Sequence, residues 1–263
     1  MNRQGHKPGR RLTRRAPVFT LLTSQSVRFL SNTMSSRPDT DSLSSETLAA
    51  QAGGARRRRK EARPQELLAA ALELFVEKGY AATRSEEVAA RAGVSKGTLY
   101  LYYASKEELF KAMVRDCLGS PIAEARAMAA QFEGSMTELL AILLREWWAH
   151  MGQTAAGGIS KIMMAEARNF PELASFFVDE VINPSNDQLA EVIRRGIAAG
   201  EFRPVPADAA VEVLIAPMLH MVMHQHSFGA CSVGGRTVDP EAVLQVQLDL
   251  MLNGLLAPSE KTN

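Results

Sequence analysis

The sequence predicts an all-α protein built of two helical parts, and three observations lead to this prediction. Apolar residues recur at intervals of three and four along most of the chain after Pro64, which is the period of a helix that packs on one side. No segment shows the convincing polar and apolar alternation of a β-strand. Glycines, prolines and capping residues divide the chain into segments of ordinary helix length. We therefore expect a small N-terminal three-helix unit followed by a larger all-helical domain.

Composition and charge are those of a globular protein with a basic front end. The 263 residues are 46% apolar and 22% charged, with a formal net charge of +1. Residues 1–33 carry seven basic side chains and no acidic one, whereas the last 200 residues carry sixteen basic and twenty-five acidic ones. A polyanion, if one binds, is therefore expected at the front. The longest apolar stretch, residues 211–223, is interrupted by Glu212, Pro217 and His220 and is too short to span a bilayer.

The first 55 residues are predicted to form a disordered extension, because residues 35–55 are rich in Ser, Ala and Gly. Residues 1–33 either belong to this tail or precede the true start, since Met34 is an internal start candidate; an organelle transit peptide is the alternative. Five basic residues then occupy positions 56–60. They form either a solvated tail or an arm that grips the phosphates of DNA.

Residues 56–110 are predicted to form three short helices and the start of a fourth. Residues 64–78 keep a helical period, with a proline in the first turn, until Gly79 ends the helix. Thr83 and Glu86 then form a T-x-x-E capping box that opens the second helix.

The third of these helices lies between two others. Gly93 ends the second helix, and Ser95 caps the third. Ser105 opens the fourth helix with an S-x-x-E capping box. The connector between the second and third helices is short and contains glycine, as a helix-turn-helix motif requires.

A dense set of fixed spacings runs from residue 72 to residue 109. The residues that carry it are Leu72, Glu73, Leu74, Phe75, Gly79, Tyr80, Thr83, Val88, Ala89, Ala92, Gly93, Val94, Ser95, Lys96, Gly97, Thr98, Leu99, Tyr100, Tyr103, Ala104, Ser105, Lys106, Glu107, Glu108 and Leu109. This pattern strongly resembles the N-terminal domain of the TetR (tetracycline-repressor-like) family of transcription regulators. The resemblance implies a helix-turn-helix DNA-binding domain over residues 56–110 and a helical ligand-binding and dimerisation domain over residues 111–258.

The resemblance also implies a set of DNA contacts. The start of the second helix and the start of the fourth are expected to meet phosphate, and the first turn of the third, the recognition helix, is expected to face the major groove. Tyr102 stands where the family usually has His, and its side chain either reaches a phosphate or covers the core. Leu99 and Tyr103 are expected to pack inward. The expected DNA-binding residues are Thr83, Arg84, Ser95, Lys96, Gly97, Thr98, Tyr100, Tyr102 and Lys106.

The C-terminal part is predicted to stay helical, with a kink at Pro184. Its helices are expected near residues 122–132, 136–151, 158–169, 171–199, 207–227 and 240–256. Its many Met and aromatic side chains either form an ordinary core or, as the family analogy implies, line a pocket for a small molecule, with His150 as a further polar candidate. The residues expected to bind this ligand are Trp147, Trp148, Met151, Met163, Met164, Glu166, Phe177, Met218 and His220.

The last two helices, residues 207–227 and 240–256, are expected to form a dimer interface. In the family these helices of two subunits form a four-helix bundle, and the last helix here has an unusually wide apolar surface that needs a partner. His220 and His224 are one helical turn apart, which is a chelating spacing, but no acid or cysteine lies close to them in the sequence. We therefore expect no metal and no other cofactor.

These expectations combine into one function. The chain is expected to be a homodimeric, sequence-specific DNA-binding regulator of transcription in the cytoplasm, and a repressor that a small, largely apolar ligand releases from a palindromic operator. A constitutive DNA-binding protein, or an activator without small-molecule control, is the alternative. An enzyme is not expected, because the sequence has no nucleophile elbow, metalloprotease motif, phosphate-binding glycine loop or paired-carboxylate motif.

Overall fold

The computed structural model describes residues 63–229 and 239–257, which all belong to one compact unit spanning Gly54–Asn263. The predicted extension over residues 1–55 and the basic run at residues 56–60 lie outside the described residues. The described chain is helical apart from its turns and one isolated antiparallel bridge between Phe202 and Leu256. The all-α prediction is therefore confirmed.

Helices α1 to α4 form the N-terminal part of the described chain, and α5 to α11 form the C-terminal part. Their positions agree with the predicted segments to within a few residues, as expected when the start and stop signals are local. The helices are α1 (residues 63–78), α2 (Ser85–Arg91), α3 (Lys96–Tyr102), α4 (Lys106–Val114), α5 (Ser120–Ala130), α6 (Met136–Met151), α7 (Gly157–Glu166), α8 (Pro171–Phe177), α9 (Asn183–Ala198), α10 (Ala207–Ser227) and α11 (Pro240–Leu255).

Local sequence sets most of the helix ends in the N-terminal part. Gly79 and Gly93 have φ angles of 83° and 66°, which residues with a side chain rarely adopt, and they follow the ends of α1 and α2 as predicted. Ser95 and Ser105 cap α3 and α4, because each hydroxyl accepts a hydrogen bond from the backbone N–H three residues later, at 3.1 Å. These caps fix where the third helix begins and where the fourth follows it.

The capping box predicted at Thr83 is wrong. Helix α2 begins at Ser85 with Arg84 as its N-cap, and the Arg84 N–H donates to Glu87 Oε2 at 3.1 Å. The Thr83 hydroxyl points the other way and donates to the carbonyl of Gly79 at 2.8 Å. A threonine hydroxyl bound to the end of the preceding helix does not cap the next one, so α2 starts one residue later than predicted.

Two π-helical turns join consecutive helices, and each ends two residues before a proline. Arg115–Gly119 joins α4 to α5 ahead of Pro121, and Val178–Ile182 joins α8 to α9 ahead of Pro184. Proline has no N–H, and its ring displaces the carbonyl four residues earlier. A π turn opens the helix at this point without ending it. The kink predicted at Pro184 therefore takes the form of a π turn.

One hydrophobic core extends through both parts of the described chain. In the N-terminal part the rings of Phe75, Tyr80 and Phe110 lie 5.1 to 5.6 Å apart, centre to centre. In the C-terminal part α10 packs against α7 and α9, α6 against α9, and α11 against α10 and α6. The Tyr80 ring also meets Phe170 at 4.7 Å, so aromatic packing continues from the end of α1 into the C-terminal part.

Among the described residues, α10 is the helix that is long and apolar enough to cross a bilayer. From the sequence, the apolar stretch at residues 211–223 is too short to span a bilayer. Helix α10 is longer than this stretch, because Glu212, Pro217 and His220 interrupt the apolar run but not the helix. Core helices of soluble proteins reach the same length and composition. Here α10 packs against three helices, α7, α9 and α11.

Candidate nucleic-acid interface

Helix α3 turns one face to the core and the opposite face to solvent. Leu99 is fully buried, which confirms its predicted inward packing. At 100° per residue, the two positions opposite Leu99 are Gly97 and Leu101, Tyr100 lies between them and Leu99, and Lys96 lies closer to Leu99. All four of these residues are exposed. The short helix therefore offers a continuous outward surface.

The first turn of α3 is small and is held by its own cap. Ser95 Oγ accepts a hydrogen bond from the Thr98 N–H at 3.1 Å and lies 2.9 Å from Thr98 Oγ1. A Cβ atom at Gly97 would meet only Ser95 Oγ, at 3.8 Å, so this side of the helix is open. Small side chains and open space allow the backbone to come close to base edges in a major groove.

Lys96 is exposed and pairs with a carboxylate of α2. Its ammonium forms an ion pair with Glu86 and lies 5.8 Å from the centre of the Tyr100 ring. The hydrogen bond between Lys96 and Glu86 raises the pKa of Lys96 and lowers the pKa of Glu86, so both groups are charged at neutral pH. An ion pair this exposed to solvent is weak, and Lys96 is therefore able to exchange Glu86 for a group on DNA.

The contact with DNA predicted for the Thr83 side chain is wrong. Thr83 is buried, and its hydroxyl lies 3.1 Å from the carbonyl oxygen of Leu74 and 2.8 Å from that of Gly79. The side chain thus binds carbonyls near the C-terminal end of α1 and is turned away from solvent. Arg84, the next residue, is exposed at the start of α2 and keeps its predicted access to phosphate.

Lys106, which was predicted to contact phosphate, lies against the loop between α1 and α2. Its ammonium donates to the carbonyls of Tyr80 at 2.9 Å, Ala81 at 3.3 Å and Thr83 at 3.1 Å, and lies 4.4 Å from the centre of the Tyr80 ring. Burial lowers the pKa of Lys106, and the nearby Glu166 carboxylate opposes this shift. Because an ammonium has three protons, the side chain is fully engaged with the loop between α1 and α2.

Two tyrosines follow each other at the end of α3. Tyr103 is half-buried and donates its hydroxyl to the carbonyl of Pro64 at 3.5 Å, which confirms its predicted inward packing. Burial, followed by the Asp116 carboxylate, raises the pKa of Tyr103. Tyr102 is half-buried and packs against the core. Of the two roles predicted for Tyr102, the packing supports the one that covers the core.

Sequence reasoning missed one outward residue of α3. Leu101 is 84% exposed, the largest value for a large apolar side chain among the described residues. The signal was present in the sequence, because Leu101 follows Gly97 by four positions and so shares its face of the helix. The leucine side chain forms no hydrogen bond, so the residue type alone does not indicate a DNA contact.

The nine predicted ligand-binding residues divide into two groups. Met164 and His220 are exposed, and Glu166 contacts the loop between α1 and α2. The structure does not bring these three together with the others, and their role in ligand binding stays a prediction. Met164, for example, follows the buried Met163 by 100° around α7 and is exposed. The remaining six lie in or against one hydrophobic core: Trp147, Trp148, Met151, Met163, Phe177 and Met218.

An open groove of about 270 Å³ lies elsewhere in the described chain. It is lined mostly by apolar residues of α10 and α11, among them Val213, Leu214, Leu250 and Met251, and by residues that precede α10, including Arg203. None of the predicted ligand-binding residues lines it. It lies instead on the two helices that were predicted to contact a second subunit.

The polar candidates of the C-terminal part have other partners. His150 Nε2 donates to the carbonyl of Cys117 at 2.6 Å, inside the first π turn. Burial raises the pKa of the Cys117 thiol to about 11, so the thiol is not ionised at neutral pH. The rings of His220 and His224 are 6.5 Å apart, centre to centre. Within the described residues, no group of three or more His, Cys, Asp or Glu side chains could hold a metal ion.

Two family models match the chain. One, described as "Bacterial regulatory proteins, tetR family", matches residues 67–113, which extend from α1 into α4. The other, described as "Tetracyclin repressor-like, C-terminal domain", matches residues 132–230. Together they match more than half of the residues, and the first contains the whole of α3. The chain belongs to the TetR family.

Individual TetR-family relatives match the chain over most of its described length. The HTH-type transcriptional repressor KstR2 of Mycolicibacterium smegmatis is 26% identical over 143 residues, which are 54% of this chain and 68% of the relative. The structure of KstR2 of Mycobacterium tuberculosis has a TM-score of 0.54 at 24% identity. The match covers 74% of this chain and 96% of the KstR2 chain. The structure of FadR from Bacillus subtilis in complex with stearoyl-CoA has a TM-score of 0.58 at 19% identity. The match covers 73% of this chain and 98% of the FadR chain.

Membership in the TetR family decides the class of function. The chain is a DNA-binding regulator of transcription, and the relatives named above are regulators rather than enzymes. The solved structures, at their low identity, show that the fold is shared.

In this TetR-family chain α7 connects the C-terminal part to the helix-turn-helix. Glu166 Oε1 accepts a hydrogen bond from the Ala81 N–H at 3.2 Å, and Asn169 Nδ2 donates to Glu166 Oε2 at 3.1 Å. Near the other end of α7, a Cβ atom on Gly158 would lie 2.7 Å from the side chain of Val76, so α7 presses closely on α1. Helix α7 therefore contacts both α1 and the loop that precedes α2.

Proposed function

We propose that the chain is a homodimeric repressor that a small, largely apolar ligand releases from a palindromic operator. The observation that carries the proposal is the outward face of α3, where a small capped first turn adjoins the exposed Lys96 and Tyr100. Two such helices, one from each subunit, would enter successive major grooves about 34–36 Å apart. The dimer would act in the cytoplasm, where the operator DNA is.

The proposed contacts divide by the part of DNA they reach. Arg84 and the Tyr100 hydroxyl would bind phosphates and so orient the helix, while Lys96 would reach a guanine edge or a phosphate. Ser95, Gly97 and Thr98 would allow the close approach and are placed for it by the cap, and Tyr102 would support them from the core side. Thr83 and Lys106 would act behind this surface, by holding the loop that positions α2.

The proposed dimer uses α10 and α11. Val213, Val246 and Leu250 are large apolar residues on these helices, and each is more than half exposed in the single chain. The apolar groove between the two helices continues this surface. A second copy packed on it would bury these side chains in a four-helix bundle, which favours association because apolar area is removed from water.

The proposed ligand would enter the core formed by α6, α7, α8 and α10. Met151, Met163 and Met218 lie there, and unbranched Met side chains repack readily around an apolar guest. The related FadR structure holds stearoyl-CoA, whose acyl chain is apolar, which supports a ligand of this class. Displacement of α7 would then act on the bond between Glu166 and Ala81 and so on α2 and α3. Such coupling is typically about 1–3 kcal/mol and is reciprocal between ligand and DNA.

The experiment that tests the proposal begins with selection of the operator from random duplex DNA by the full chain. Affinities for operator and random duplex are then measured by gel shift for the wild type and for Lys96→Ala. Arg194→Ala is the matched control, because it also removes an exposed, ion-paired cation, here on α9 far along the sequence from α3. We expect Lys96→Ala to lose most of the preference for operator, since a base contact contributes about 1–3 kcal/mol.

The alternatives give distinct results. If Lys96→Ala weakens operator and random duplex equally and flattens the salt dependence by about one unit per subunit, Lys96 binds phosphate. If the ratio of affinities and the salt dependence are both unchanged, α3 is not the reading element and the proposal is wrong. Arg194→Ala is expected to match the wild type in both measurements.

A further inference from the structure

Leu101 is an apolar residue whose side chain is largely exposed to water, which is energetically unfavourable. A leucine that is 84% exposed leaves most of its apolar surface in water. Single exposed apolar residues are common on protein surfaces, so exposure alone indicates no function. The exposure of Leu101 indicates a function because the residue lies on the outward face of α3, the helix proposed to enter the major groove.

Leu101 is the residue that projects furthest from the core on α3. The direction opposite the buried Leu99 falls midway between Gly97 and Leu101 on the helical wheel. Gly97 has no side chain, and a Cβ atom there would meet only Ser95 Oγ, at 3.8 Å. Any surface that approaches the outward face of α3 therefore meets the Leu101 isobutyl group, with the Tyr100 side chain at one side.

A leucine can recognise only one feature in the major groove. Its side chain has no hydrogen-bond donor or acceptor, and the apolar group that bases display in this groove is the C5 methyl of thymine. We propose that Leu101 packs on a thymine methyl and thereby selects an A·T pair at one position of each operator half-site. This inference rests on the proposed function, because it requires α3 to lie in the major groove.

The test exchanges thymine for deoxyuridine, which lacks only the C5 methyl. Each thymine of the selected operator is replaced in turn, symmetrically in both half-sites, and the affinities of wild type and Leu101→Ala are measured by gel shift. Removing a buried methyl should weaken wild-type binding about four-fold for each half-site, or about 15-fold for both. Leu101→Ala should bind the unmodified operator more weakly by at least this factor, and the critical deoxyuridine should weaken it no further.

Two further variants separate the contact from general effects. Leu101→Met keeps an apolar side chain and should retain sensitivity to the methyl, whereas Ile182→Ala removes an exposed apolar residue from the second π turn and should behave as wild type. Because Leu101 is exposed, Leu101→Ala should unfold at the same temperature as the wild type, so a loss of affinity reports the contact itself.

The results of this experiment separate failure of the Leu101 contact from failure of the proposed function. If the wild-type chain selects no duplex, the proposed function fails and the inference with it. If the wild type selects an operator but Leu101→Ala binds it equally well, or responds to every deoxyuridine as the wild type does, the inference alone is wrong. Loss of the deoxyuridine effect at one thymine per half-site in Leu101→Ala would establish the contact.

Discussion

A lysine ammonium can donate three hydrogen bonds, and Lys106 donates all three to the loop between α1 and α2. Lys96 stands at the equivalent place of its own helix, the first residue after a serine cap, yet it is exposed. The sequence gives both lysines the same local setting and predicts the same DNA-facing role for both. The two lysines differ because the loop between α1 and α2 packs over the start of α4 and accepts hydrogen bonds from Lys106. This is a tertiary contact, and the residues near Lys106 in the sequence do not indicate it.

We predict that Lys106→Met destabilises the fold by about 2 kcal/mol, because backbone carbonyls in the loop lose their donor. Urea unfolding measures this loss. The salt dependence of operator binding should not change, since no phosphate contact is removed. Arg84→Ala, at the exposed start of α2, should do the opposite: it should leave stability within about 0.5 kcal/mol and flatten the salt dependence by about one unit per subunit. If Lys106→Met flattens the salt dependence instead, Lys106 binds phosphate after all.

At the scale of elements, the sequence predicts what local chemistry determines. The positive φ of Gly93 and the Ser95 cap fix the start of α3, and the Ser105 cap fixes where α4 follows it, because the partners of these residues lie within a few positions. The two π turns were not predicted, although the prolines that follow them were visible. A proline in a helix can produce a break, a kink or a π turn, and the neighbouring helices decide between these outcomes.

The first π turn shows how a neighbouring helix takes part. In a regular helix the carbonyl of Cys117 would accept a hydrogen bond from residue 121, but Pro121 has no N–H. His150 of α6 donates to this carbonyl instead, at 2.6 Å. The sequence could not reveal this pairing, because the two residues are 33 positions apart.

We predict that His150→Leu costs about 1–2 kcal/mol of stability, because it leaves the Cys117 carbonyl without its donor. Adding Pro121→Ala should recover about 1 kcal/mol, since the new backbone N–H can serve the same carbonyl. Urea unfolding of the wild type, both single variants and the double variant measures this coupling. Strictly additive effects of the two substitutions would contradict the proposed role of His150.

At the scale of the molecule, α7 is placed to link the proposed ligand site to the proposed DNA site. Its buried Met163 lies in the core of the C-terminal part, while Glu166 at its end holds the Ala81 N–H in the loop before α2. The sequence predicted Glu166 as a ligand-binding residue because it is polar and lies among apolar positions. Its partner belongs to another element 85 residues away, which no periodicity can indicate.

The last prediction concerns the surface formed by α10 and α11. Leu250 is 64% exposed in the single chain and lines the apolar groove between these helices. Leu250→Glu should therefore leave the folded chain intact but prevent dimerisation, because pairing would bury two unpaired carboxylates. Sedimentation should report a monomer, with an unchanged far-ultraviolet circular dichroism spectrum. Operator affinity should fall about 100-fold or more, since each half-site is then bound independently.

Met164→Glu is the matched control, because Met164 is 59% exposed on α7 and lines no part of the groove. This variant should remain a dimer and bind the operator as the wild type does. If Leu250→Glu also remains a dimer at micromolar concentration, the subunits associate through another surface. If it becomes a monomer yet keeps full operator affinity, the two half-sites are not read by paired recognition helices. Monomer formation together with weakened binding would tie α11 to the spacing between the two copies of α3.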